Sequence, residues 1–98
     1  MLNRFQTYLL AVKFYQEVRR LQLPAHLRSQ LERAASSAAL CLAEGYGRRS
    51  PADKKRFYTM SMGSVRESQA VLTLAGITTP ATLDLLDHLA ACLYKLTR

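Results

Sequence analysis

The sequence predicts an all-α fold: an antiparallel up-down-up-down four-helix bundle forming one domain over residues 1–98. Three observations carry this. Apolar and small residues recur at spacings of three and four, the period of a helix packed along one face. Four glycines and three prolines are all the chain contains, and all but Gly63 stand at three junctions between the periodic stretches. The links left at those junctions are short, which makes successive helices antiparallel neighbours. Hydrophobic residues make up 49% of the chain, enough to exclude disorder and to build a core without staples.

The first helix is expected over 3–22, with Asn3 as its cap. On a helical wheel Gln6, Lys13, Glu17 and Arg20 form one narrow polar face, and about two-thirds of the circumference is apolar. A helix serving one core needs a stripe of roughly 100°. The surplus predicts self-association, with Leu10, Phe14 and Val18 as the interface.

The second helix is expected over 24–45, with Pro24 in its first turn. Leu27, Leu31, Ala34, Ala38 and Cys41 follow at spacings of four, three, four and three. The small side chains of Ala34 to Ala39 let a neighbour approach closely, so this helix is expected to be central. Gly45 and Gly47 are expected to end it, one of them in the left-handed conformation.

Ser50 caps a third helix over 51–75, Pro51 takes its first position, and Gly76 stops it. Phe57, Ser61, Val65, Leu72 and Ala75 form the expected core stripe, with Met60, Val71 and Leu74 beside it. Thr79 and Pro80 repeat the cap-and-proline start for a fourth helix over 80–97. Leu86, Leu89, Leu93 and Leu96 make its inward stripe, opposite Asp84, Asp87, His88 and Lys95.

Cys41 and Cys92 lie far apart without a metal-binding or disulfide pattern, so two buried thiols in a reducing cytoplasm are expected. The opening M-L-N-R-F-Q-T-Y has no continuous apolar core, and no secretory signal is expected. The longest uncharged stretch, Ala34 to Ala43, is too short to cross a bilayer. His26 and His88 have no partners at ligand spacing, and Ser36 and Ser37 have no His–Asp companions. No catalytic residue, metal or cofactor is therefore expected.

The one surface with the charge pattern of a ligand site is Arg48, Arg49, Lys54, Lys55 and Arg56. Against Asp53 these leave a net +4 within a chain of +7. Clustered cations bind nucleic acid by displacing condensed counterions from its backbone. Tyr46 and Tyr58 lie beside the run and are expected to stack on unpaired bases. The alternative is a solvated helix junction. Arg48 and Arg49 suit the C-terminal end of the second helix, whereas Lys54 and Lys55 sit against the dipole of the third. Glu44 and Glu67 are expected to be buried or half-buried carboxylates, paired with Arg33 or Arg66 or accepting from Ser37, Ser61 or Ser64.

The segments L-P-A-H-L-R-S-Q-L-E-R-A-A-S-S, A-E-G-Y-G-R-R-S and F-Y-T-M-S-M-G-S-V-R-E carry a family resemblance. They are similar to the small four-helix-bundle proteins encoded in intervening sequences of bacterial 23S ribosomal RNA genes. Glu44, Gly45, Gly47, Gly63 and Glu67 stand at motif positions of that family. Ala39 and Cys41 replace a proline and an asparagine frequent there, which implies a straighter second helix. The resemblance implies a bundle assembled into a ring, commonly a homopentamer. It also implies kinship with a basic pentameric accessory protein of diversity-generating retroelements, which binds a reverse transcriptase and nucleic acid. The expected function is thus a non-enzymatic, cytoplasmic homo-oligomer that binds RNA or DNA through its basic corner. The alternative is a scaffold that docks a protein partner.

Overall fold

A computed structural model describes residues 3–98. Four helices, and no strand among the described residues, make up the fold: α1 Arg4–Val18, α2 Ala25–Gly47, α3 Pro51–Leu74 and α4 Pro80–Leu96. Each helix packs on two others, in the cycle α1–α2–α3–α4–α1. The α2–α3 seam is the most extensive. Along it Gly45 meets Tyr58, Ala38 meets Ser61, Ser37 meets Ser64 and Arg33 meets Glu67. Numbers fall on one helix as they rise on the other, so this pair is antiparallel.

The helix starts follow local chemistry. Asn3 and Gln6 form a reciprocal capping box, with side-chain bonds of 2.8 and 3.0 Å. Ser50 accepts from the Asp53 amide at 3.0 Å ahead of Pro51. At the end of α3, Gly76 takes φ +70°. The Ile77 amide returns to the Leu72 carbonyl and the Gly76 amide to that of Thr73, which makes a Schellman motif. Ile77 then packs on the core.

Two boundaries differ from expectation. α1 stops at Val18, not near 22, because the chain turns there through i→i−3 bonds at Arg20 and Leu21. Leu21 and Leu23 both pack on the core, a spacing of two that a helix cannot serve. Pro24 also disfavours helical backbone at Leu23 and acts as the cap of α2, one residue before the helix begins. The second difference lies at the other end of α2. The helix runs through both glycines to Gly47, and Gly76 alone among the described residues has a positive φ. Arg48 then ends it in extended backbone.

The core is built from Phe14, Leu31, Leu42, Val65, Leu72, Leu86, Leu89 and Leu93. Thr7, Ala11, Phe14 and Val18 form the inward stripe of α1, at spacings of four, three and four. Phe14 is 1% exposed and Val18 0%, while Leu10 is half-buried against the same core. The expectation that Leu10, Phe14 and Val18 form an oligomer interface is therefore corrected, since the chain's own core takes up Phe14 and Val18. The apolar surplus of α1 sits at Phe5 and Leu9, 51% and 47% exposed.

Candidate nucleic-acid interface

The basic run lies where α2 hands over to α3, and each cation there has a distinct setting. Arg48 pairs with Glu44 at 3.1 Å, and its guanidinium stands 4.7 Å from the centre of the Phe57 ring. Arg56 approaches the same ring to 4.5 Å and reaches Asp53 at 4.0 Å. Phe57, expected in the core stripe, is half-buried and serves as a base for two arginines. Lys54 reaches back to α2 and donates to the Tyr46 carbonyl at 2.9 Å and the Gly45 carbonyl at 3.4 Å. Its charge thus meets the negative end of α2, which relieves the conflict with the dipole of α3. Arg49 and Lys55 are exposed.

Packing brings further cations to this end. Arg4 from α1, Lys54 and Lys55 from α3, and Lys95 and Arg98 from the end of α4 line one cleft of about 400 Å³. Arg4 also lines a second depression with Asn3, Phe5, Tyr46 and Lys54. Counting side chains, Arg4, Arg48, Arg49, Lys54, Lys55, Arg56, Lys95 and Arg98 face only Glu44 and Asp53 here. Eight cations against two acids give +6 of the chain's +7. The rest of the molecule is nearly neutral. Arg4, Lys95 and Arg98 escape a sequence reading because they join the run only through the helix packing.

The aromatic residues divide. Tyr46 is 53% exposed, and its ring lies 6.4 Å from that of Phe5, which is half-exposed too. These two rings border Arg4 and Lys54 in the second depression. Tyr58 is only 3% exposed, so its expected stacking role is corrected. It belongs to the inward row Tyr58, Ser61, Val65, Ser68 and Leu72 on α3, whose spacing of three and four already marks a core stripe.

The remaining motif residues are structural to different degrees. Glu44 and Glu67 are exposed, and pair with Arg48 and with Arg33 at 3.3 Å across the α2–α3 seam. The Arg33 partner matches expectation; the burial does not. The serines bond elsewhere, Ser61 to the Ala38 carbonyl at 2.7 Å and Ser64 to Ser37 at 3.0 Å. Gly45 is needed for close packing, whereas a Cβ at Gly47 or Gly63 would meet nothing within 4 Å.

Among the described residues no cluster of three or more His, Cys, Asp or Glu is placed to hold a metal, and no helix is long and apolar enough to cross a membrane. Asp84 and His88 are both exposed on α4. Cys41 and Cys92 are free thiols, half-buried and buried.

No curated protein and no solved structure matches the chain. Residues 4–97 match the model of the family described as 23S rRNA-intervening sequence protein. That match takes in all four helices and nearly the whole length, so the chain belongs to the 23S rRNA-intervening sequence protein family.

Proposed function

We propose that the protein is a non-enzymatic, cytoplasmic homo-oligomer, a pentamer of up-down-up-down bundles, that binds single-stranded RNA at its cationic end. One observation carries the reading: +6 of the net +7 gathers at one end, beside the exposed pair Phe5 and Tyr46. Cations alone attract any polyanion, and exposed aromatic rings beside them add a platform on which unpaired bases stack. Arg48, Arg49, Lys54, Lys55 and Arg56 supply the backbone contacts, with Arg4, Lys95 and Arg98. Repetition around a ring raises avidity with no new kind of contact.

The test replaces Arg49, Lys55 and Arg56 with glutamate. All three side chains are exposed, so helicity and assembly are retained while RNA binding is lost. The salt slope of the wild type should match several phosphate contacts, near −0.7 per phosphate for a single strand. Retention unchanged in the triple variant would refute the reading.

A protein-docking scaffold is the second reading, supported by the exposed Leu9, Leu40, Met60 and Leu74, the last at the end of α3 opposite the basic run. A reverse transcriptase is the partner class that the family resemblance suggests. Protein partners retained after nuclease treatment, and lost with Leu74→Glu, favour it. Self-association is tested separately with Leu9→Glu, since Phe14→Glu would disrupt the core of each subunit.

A further inference from the structure

The buried tyrosine and the cationic cleft belong to one feature. Tyr58 lines the cleft formed by Arg4, Lys54, Lys55, Lys95 and Arg98. Its hydroxyl is sealed from solvent and has no hydrogen-bond partner, the one such side-chain atom among the described residues. A buried hydroxyl with no partner is destabilising, and native structures rarely keep one without a reason. The cleft itself is one-sided: it has five cationic side chains, from α1, α3, α4 and the residue after the α4 cap, and no acidic side chain lines it. Unpaired like charges drawn together by packing repel one another, and both anomalies are relieved by the same ligand, an anion that accepts hydrogen bonds.

We infer that this cleft is a phosphate site, in which one phosphate group is held by Arg4, Lys55, Lys95 and Arg98 and accepts a hydrogen bond from the Tyr58 hydroxyl. Lys54 contributes its charge while its ammonium stays on the α2 carbonyls. The long cationic side chains around the cleft reorient to admit the anion and uncover the hydroxyl. Phosphate fits better than carboxylate, because its oxygens spread over several directions and can serve donors arriving from α1, α3 and α4 together. Five positive charges also favour a dianion, such as a terminal phosphate, over a single diester. The site rests on the nucleic-acid reading only for the source of the phosphate: the end of an RNA strand, its backbone, or free phosphate.

The experiment titrates the full-length protein with inorganic phosphate against chloride of equal ionic strength, and follows the thermal midpoint and phosphorus NMR line width. The wild type should show a saturable response to phosphate beyond that of chloride. Lys95→Gln with Arg98→Gln, both exposed in the wild type, should keep the fold and lose that response. Tyr58→Phe removes an unpartnered hydroxyl, so it should be at least as stable without phosphate yet bind phosphate about tenfold more weakly. A wild type indifferent to phosphate, or a glutamine variant that responds like the wild type, overturns the site. A Tyr58→Phe variant with undiminished affinity overturns the role of the hydroxyl.

Two RNA oligomers of one sequence, with a 5′-phosphate or a 5′-hydroxyl, then separate the sources. A preference for the phosphorylated strand that the glutamine variant loses assigns the terminal group. Equal binding, equally weakened in that variant, assigns the backbone. Phosphate binding with neither oligomer retained upholds the cleft for free phosphate and ends the nucleic-acid reading.

Discussion

Gly45 of α2 and the ring of Tyr58 on α3 are so close that a Cβ added at the glycine would lie 2.7 Å from Cε1 of the tyrosine and 3.0 Å from Cβ of Phe57. The tyrosine ring is buried and Phe57 Cβ is fixed to backbone, so neither yields easily. The glycine is therefore kept for what faces it, in spite of its poor helix propensity. Gly45→Ala should gain about 0.5–1 kcal/mol of propensity and lose about 1–3 kcal/mol to overpacking. The expected net is a loss of roughly 1–2 kcal/mol, or on the order of 4–15 °C in Tm for a domain of this size. Pairing it with Tyr58→Leu should recover part of that loss, since the clash lies with the ring. A denaturant series on the two single variants and the double checks this, and additive effects would mean the contact is not the constraint.

That glycine also shows what sequence reading can and cannot resolve. A glycine near the end of a helical pattern signals either a left-handed residue or a close approach, and only the partner's position decides between them. The left-handed residue was expected at Gly45 or Gly47 and stands instead at Gly76, which was expected only to stop α3. At Gly45 the partner is a side chain thirteen positions on, across the turn. Helix existence was legible because Asn3, Ser50, Pro51, Pro80 and Gly76 act locally. The basic run was legible because its members are consecutive. Arg4, Phe5, Lys95 and Arg98 were not, because only the packing of α1 and α4 brings them to it. Tyr58 was misplaced for a different reason: proximity in sequence to the cations outweighed its helical register with Ser61 and Val65.

The α2–α3 seam is limited by space, and Ser61 tests that. Its hydroxyl, fully buried, donates to the Ala38 carbonyl at 2.7 Å. Ser61→Ala removes this bond, but Ala38 lies inside α2 and its carbonyl keeps its helical partner. The expected loss is at the low end for a hydrogen bond, about 0.5–1 kcal/mol. Ser61→Val is more apolar yet larger and should lose more, about 1–3 kcal/mol, because the helices cannot part without disturbing the core. Thermal unfolding of both variants sets their order. A valine variant as stable as the alanine one would show slack in the seam.

Phe5 and Tyr46 should matter to RNA and little to folding. Each is about half exposed, and their rings are 6.4 Å apart at 54°, so truncation leaves no buried cavity. Loss of one stacked base removes about 1–3 kcal/mol of binding, which is roughly 5- to 150-fold in affinity. Tyr46→Ala and Phe5→Ala should each weaken binding to a single strand within that range, while Tyr46→Phe retains it. Duplex RNA offers no free base face and should bind all of these proteins alike. Fluorescence anisotropy on matched single and double strands reads the difference. An equal loss on both would assign the rings to shaping the site.

Gly63 poses the opposite case to Gly45. It lies in the middle of α3, is exposed, and a Cβ built there meets nothing within 4 Å inside the chain. For an isolated bundle, glycine at such a position only weakens the helix, and Gly63→Ala should stabilise by about 0.5–1 kcal/mol. The neighbouring Met60, 47% exposed, makes the same face partly apolar. If subunits of the proposed oligomer met here, a glycine would let two helices approach closely, and the alanine would then hold them apart. Chemical denaturation at low and high protein concentration, with sedimentation velocity alongside, distinguishes the two. A gain in stability at both concentrations with unchanged sedimentation leaves this face to solvent. A loss that grows with concentration, together with slower sedimentation, places a second copy against Gly63.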